Sequence, residues 1–241
     1  MMADKRTPVS TGQEVDTDRA VATRMRQVVG QGVLILAILI VTSGNWRWPW
    51  LWVYLLLSVC VLAVNARVLP RELMAERGTG HRQENVASWD RVISLLVGLT
   101  MLAVLVVCGL DERFGWSPPL SLAVHLLGAA GFVLGQLLFT WAMVSNAFFS
   151  TMVRLQAERG QAVASGGPYR YVRHPGYVGY IVAALGNAVL LGSLWGLVPA
   201  AVIGVGMIVR TALEDRTLQE QLEGYREYAQ RVRYRLVPRI W

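Results

Sequence analysis

"YVGYIVAALGNAVLLGSLWGLVPAAVIGVGMIV", Tyr177–Val209, runs for 33 residues without a charged side chain. A bilayer core takes about 20 apolar helical residues, with about 17 to 25 the usual range, so this run is too long for one crossing. It is expected to fold back at Gly192-Ser193, near its middle, leaving two limbs of roughly 16 residues and about 24 Å each. Four further apolar blocks, Val28–Ser43, Trp48–Val64, Val92–Leu110 and Leu120–Val144, precede it. The expected fold class is therefore all-α: a polytopic integral membrane protein of about six transmembrane helical segments, including a C-terminal helical hairpin.

Composition agrees. Hydrophobic residues make up 54% of the 241 and charged residues 16%, with a mean hydropathy of +0.41, which excludes an ordinary soluble domain. The net charge of +7 does not point to nucleic acid, because the bases lie between apolar runs and form no nucleic-acid motif. Membrane topology accounts for them. Five Lys and Arg precede the first block, five lie in residues 65–91, four in 146–176 and seven from Arg210 onward, leaving Arg47 and Arg113 for the opposite side. The positive-inside rule then puts both termini in the cytoplasm.

Three regions follow: a polar cytoplasmic tail at 1–27, N-terminal transmembrane helices at 28–145, and a C-terminal core at 146–241. The tail carries no signal-peptide pattern and reads as mobile. Cys60 and Cys108 fall inside spans without a CxxC pairing, so they are expected to be inert buried thiols, and no metal site is expected. Gly128, Gly131 and Gly135 share one helical stripe, fit for close helix packing or a dimer face. His125 and Gln136 in the same segment are either satisfied structural groups or the lining of a wet cavity. His81, in a charged loop, reads as surface.

The hairpin is entered through "GGPYRYVRHPGYVGYI", Gly166–Ile181. His174-Pro175 marks the boundary where a helix begins, with Pro175 suited to its first turn. The helix N-terminus beside Arg173 and His174 is expected to make an anion-accepting corner. Tyr169, Tyr171, Tyr177 and Tyr180 either stack on a ligand or form an interfacial aromatic belt with snorkelling arginines. Beyond the hairpin, Leu218, Leu222, Tyr225, Ala229 and Val232 recur at helical spacing, which predicts an amphipathic tail helix packed along the hinge and ended by Pro238. Arg210 and Glu214 sit four apart where this helix leaves the membrane. They form either an i,i+4 ion pair or part of a zwitterion site, in which Glu214 and Asp215 take an amine or ribose hydroxyls and the cationic side chains take a carboxylate.

"GPYRYVRHPGYVGY", "RTALEDRTL" and "GYREYAQRVRYRLVP" resemble the C-terminal half of the isoprenylcysteine carboxyl methyltransferase family, membrane methyltransferases related to phospholipid N-methyltransferases. The likeness covers roughly Asn146 to Trp241. It implies S-adenosylmethionine as cofactor in a cytoplasm-facing pocket, and a lipophilic small-molecule substrate arriving sideways from the membrane lipids. Carried over by position, the cofactor pocket comprises Gln161, Ala162, Val163, Ala164, Tyr169, His174, Pro175, Tyr177 and Glu214, with Arg154 beside it. Asp215 replaces the second glutamate of the usual pair, and Gln161 stands where eukaryotic members tend to carry histidine. Arg210 matches the family's substrate-side arginine and is the expected catalytic residue. Eukaryotic members also carry a basic residue in the helix before the Asn-Phe stretch; Leu120–Val144 has none.

Methyl transfer from a sulfonium is an in-line displacement, so the protein mainly aligns the reacting atoms and excludes water. Two alternatives are an NADPH-dependent membrane reductase of the sterol-reductase type and a non-catalytic membrane lipid-binding protein.

Overall fold

The computed structural model describes residues 11–78 and 86–241. His81, Lys5 and Arg6 lie outside the described residues. Among those described, the helices are Thr11–Ser43 (α1), Pro49–Val68 (α2), Arg71–Gly78 (α3), Ser88–Phe114 (α4), Leu122–Val144 (α5), Pro175–Leu190 (α6), Leu197–Gln221 (α7) and Tyr225–Arg231 (α8). Five of them, α1, α2, α4, α5 and α7, are long and apolar enough to cross a membrane, and α6 is a shorter apolar helix. The protein is thus an all-α polytopic membrane protein. Helices satisfy their own backbone polar groups, which is what a hydrocarbon environment demands.

The hairpin forms where expected. Gly192 adopts φ +83° in the turn, and a Cβ there would come within 2.9 Å of the His125 ring. The first limb, α6, has 16 residues. The second, α7, has 25 rather than 16, because the helix continues through the charged stretch after Val209. α1 also differs from expectation: it begins at Thr11, well before Val28, since no proline or glycine interrupts residues 13–29. Asp18, in the stretch read as a tail, pairs with Arg71 of α3 at 2.6 Å. The amphipathic tail helix is broken at Gly224, which adopts φ +77°, and α8 ends at Arg231 rather than at Pro238.

α5 packs most extensively on α6, through small residues. A Cβ on Gly135 would lie 2.5 Å from the Ala183 backbone nitrogen, and one on Gly179 would lie 2.6 Å from the Gly135 carbonyl. Gly128 meets the backbone of Leu190 and Gly186 that of Phe132, while Gly131 makes an ordinary 3.5 Å approach to Gly186. The glycine stripe is therefore an internal helix seam. At the far end of the hairpin, Asp111 accepts the Ser117 N–H and hydroxyl (2.7 and 2.6 Å) and the Ser193 hydroxyl, tying α4 to the turn. His125 is structural: its Nδ1 lies 2.9 Å from the Leu190 carbonyl, and its ring stacks on Trp50 at 3.8 Å. Both cysteines are free; Cys108 is buried as expected, but Cys60 faces outward from α2.

Candidate functional site

The hinge is organised from its backbone outward. Pro175 opens α6 with His174 as its N-cap. The N–H groups of Arg173 and His174 donate to the carbonyls of Tyr234 and Arg235, both at 2.9 Å, so the end of the chain lies alongside the hinge. Tyr169, Tyr225 and Tyr228 are buried together with Leu218, Leu222, Ala229 and Val232 around them. The expected packing of tail on hinge thus holds, although through a broken helix. The Tyr228 hydroxyl donates to the Tyr169 carbonyl at 2.8 Å. Burial pushes all three phenols above their ordinary value, Tyr225 also through the charge of Asp215.

Asp215 is wholly buried and is the hub of this corner. It takes Arg173 Nε at 2.7 Å, Arg235 Nε at 2.9 Å, the Tyr225 hydroxyl at 3.0 Å and Gln219 Nε2 at 2.8 Å. Arg173 also donates to the carbonyls of Ala229, Val232 and Arg233. The expected anion-accepting corner is therefore filled by the protein's own carboxylate, which is how a buried guanidinium is made tolerable.

Beside this corner runs a cleft. Of the residues expected to form a pocket, Arg154, Gln161, Ala162, Val163, Ala164, Tyr169, His174, Tyr177 and Glu214 line it; Pro175, Asp215 and Arg210 do not. Asn146, Phe149, Val153, Thr217 and Tyr225 line it as well. Glu214 accepts a short hydrogen bond from the Tyr177 hydroxyl, and its Oε2 lies 4.0 Å from His174 Nδ1. Arg154 is held by Glu76 of α3 at 2.7 Å. The Gln161 side-chain oxygen accepts the Gln156 N–H at 2.7 Å. Ala162, Val163 and Ala164 present backbone groups that make no hydrogen bond among the described residues.

Arg210 stands behind Tyr177, its guanidinium 5.2 Å from the ring centroid. Its Nε and Nη2 bond the two oxygens of Asp90 at 2.7 and 3.1 Å, and Nη2 also bonds the Thr151 carbonyl at 2.9 Å. Asp90 in turn accepts the Val153 N–H at 2.7 Å. The arginine's charge is thus already balanced, by a residue that sequence reasoning missed. The available signal was a lone acid at the start of an apolar span, which at membrane depth calls for a partner.

A second cavity, of about 1010 Å³, opens among α1, α2, α3, α4, α5 and α6. Apolar side chains dominate it, joined by Gln136, Asn187, Arg24 and Arg77. Cleft and chamber meet along α6, where Gly176 and Tyr177 line the first and Gly179 and Tyr180, one turn on, line the second.

Fold and site together define a polytopic membrane protein with a polar cleft abutting an intramembrane chamber. Residues 123–224 match the family described as Phospholipid methyltransferase. The protein-S-isoprenylcysteine O-methyltransferase of Schizosaccharomyces pombe is 41% identical over 73 residues, 30% of this chain and 31% of that protein. A probable protein-S-isoprenylcysteine O-methyltransferase of Oryza sativa subsp. indica is 26% identical over 117 residues, 45% of this chain and 59% of that protein. This part of the chain is thus similar to phospholipid methyltransferases and to protein-S-isoprenylcysteine O-methyltransferases. The matches span about a third to three fifths of the length of these curated relatives.

Proposed function

We propose that the protein is a membrane methyltransferase that uses S-adenosylmethionine to methylate a lipophilic acceptor, an isoprenylcysteine-type carboxylate being the first candidate. The observation that carries this reading is the junction of a polar cleft and a large apolar chamber one helical turn apart on α6. The methyltransferase names of the relatives favour it over a reductase.

The cleft's donor set suits the cofactor. Glu214 offers a carboxylate for an amine or for ribose hydroxyls, and Ala162–Ala164 offer unpaired backbone groups for a polar edge. Tyr169, His174, Tyr177 and Phe149 provide flat surfaces, with Gln161 and Arg154 at the margin. Asp215 and Pro175 act from behind the wall, Asp215 by fixing Arg173 and Tyr225. Bound there, S-adenosylmethionine supplies a methyl group activated by its sulfonium.

The acceptor's tail occupies the chamber, and its nucleophile reaches the cleft past Tyr180 and Tyr177. Arg210 acts from behind the wall, holding the Tyr177 ring directly and the 151–153 backbone directly and through Asp90. A carboxylate needs no general base, so alignment and exclusion of water are the protein's contribution. The charge segregation favours a cytoplasmic cleft with both chain ends on the same side.

Calorimetric titration of the purified protein with S-adenosylmethionine tests the cofactor, and mass spectrometry of lipid extracts for a gain of one methyl group tests the reaction. Saturable binding and a methylated lipid are expected. No binding in a well-folded preparation defeats the proposal.

A further inference from the structure

Arg77 of α3 sits at the meeting point of cleft and chamber. Its guanidinium carbon lies 5.8 Å from the ring centroid of Phe139, which lines the chamber, and 5.9 Å from that of Phe149, which lines the cleft. Its Nη1 is 3.2 Å from Met143 Sδ, another chamber residue. Two ring faces and a thioether are soft partners that leave a formal charge unneutralised. Among the described residues no carboxylate pairs with Arg77, in contrast to Arg154, Arg173, Arg210 and Arg235, each of which has one. Arg24 of α1 lines the same chamber and adds a second cation. Burial pushes the Arg77 guanidinium down to about 10, and repulsion from Arg24 adds to this. A half-buried cation beside another cation and without an anion is unfavourable unless a ligand supplies the missing charge.

We propose that Arg77, assisted by Arg24, binds the anionic group of the acceptor, holding a carboxylate at the mouth of the cleft while the apolar tail lies in the chamber. This rests on the methyltransferase reading and deepens it by assigning the side chains that recognise the acceptor's charge. It also accounts for the helix before Asn146, which has no basic residue: the cation comes from α3, outside the matched segment. Arg210, neutralised by Asp90, is not an equivalent source.

The test is a binding measurement that needs no turnover. N-acetyl-S-farnesylcysteine, its carboxamide and dioleoylphosphatidylglycerol are titrated against wild type, Arg77→Gln, Arg77→Lys and Arg24→Gln in neutral detergent. Wild type is expected to bind the carboxylate at least about tenfold more tightly than the carboxamide, the margin one charge-assisted hydrogen bond gives. Arg77→Gln is expected to abolish that ratio, Arg77→Lys to keep part of it, and Arg24→Gln to reduce it. Arg47→Gln, at the other membrane face, controls for general charge and is expected to keep it. A carboxylate-to-carboxamide ratio that survives Arg77→Gln overturns the proposal, as does its absence in wild type. Equal competition by the phosphatidylglycerol would assign the cations to a lipid headgroup and also overturns it. Failure of the functional reading shows separately, as absence of S-adenosylmethionine binding to wild type.

Discussion

Asp90 and Arg210, 120 residues apart in the chain, form a two-point ion pair that closes the start of α4 onto the middle of α7. Both are largely buried, so removing one partner strands the other. Asp90→Ala is expected to cost about 3–5 kcal/mol in denaturant unfolding. The double substitution Asp90→Asn with Arg210→Gln is expected to recover much of that loss. A single variant with an unchanged unfolding midpoint would show that the pair contributes nothing.

Glu214 and its neighbour Asp215 should separate cleanly. Glu214 lines the cleft, whereas Asp215 is enclosed by Arg173, Arg235, Tyr225 and Gln219. Glu214→Gln is expected to weaken S-adenosylmethionine binding roughly tenfold, about 1.4 kcal/mol, with little change in stability. Asp215→Asn is expected to lower thermal stability first. Calorimetry and thermal unfolding on both variants check the division, and equal effects on both readouts would refute it.

At the α5–α6 seam, Gly135→Ala pushes a methyl group into the backbone of Ala183. A loss of about 1–3 kcal/mol is expected, as for other overpacked sites. Gly98→Ala, with open space around it, serves as the control and is expected to be neutral or slightly stabilising.

Alkaline pH should loosen the hinge. Tyr169, Tyr225 and Tyr228 have phenols raised above the ordinary value of 10, chiefly by burial. Their contribution is complete below pH 10, and is lost as pH rises from there through the folded-state values, because the unfolded chain ionises first. Unfolding midpoints measured from pH 8 upward are expected to fall above about pH 10, and Tyr228→Phe to flatten the decline.

Spans were legible because hydropathy and length answer directly to the bilayer. The hairpin turn was legible because the run is too long for one crossing and Gly192, near its middle, accepts the positive φ the turn requires. Of the cleft's lining, the family likeness points to Arg154, Gln161, Ala162, Val163, Ala164, Tyr169, His174, Tyr177 and Glu214, while the lining residues within 148–153 and 217–228 carry no local signal for it. Partnership was not legible. Nothing local in the sequence says that Arg173 will be consumed by Asp215, that Asp90 will neutralise Arg210, or that α3 will bring Arg77 against Phe149. Such pairings join residues far apart in the chain and depend on helix orientation. The helical start of α1 is hard to see for a simpler reason: its polarity resembles that of a tail, although no proline or glycine interrupts residues 13–29.

The glycine seam has a mechanical consequence. With backbone against backbone at Gly135, Gly179 and Gly186, α5 and α6 form a single rigid plank that cannot part to admit a long guest. The opposite side of the chamber is bounded by α1, few of whose side chains are enclosed by the rest of the protein. Of the chamber's walls the α5–α6 pair is thus the stiff one, and any widening of the cavity has to come from the helices facing it.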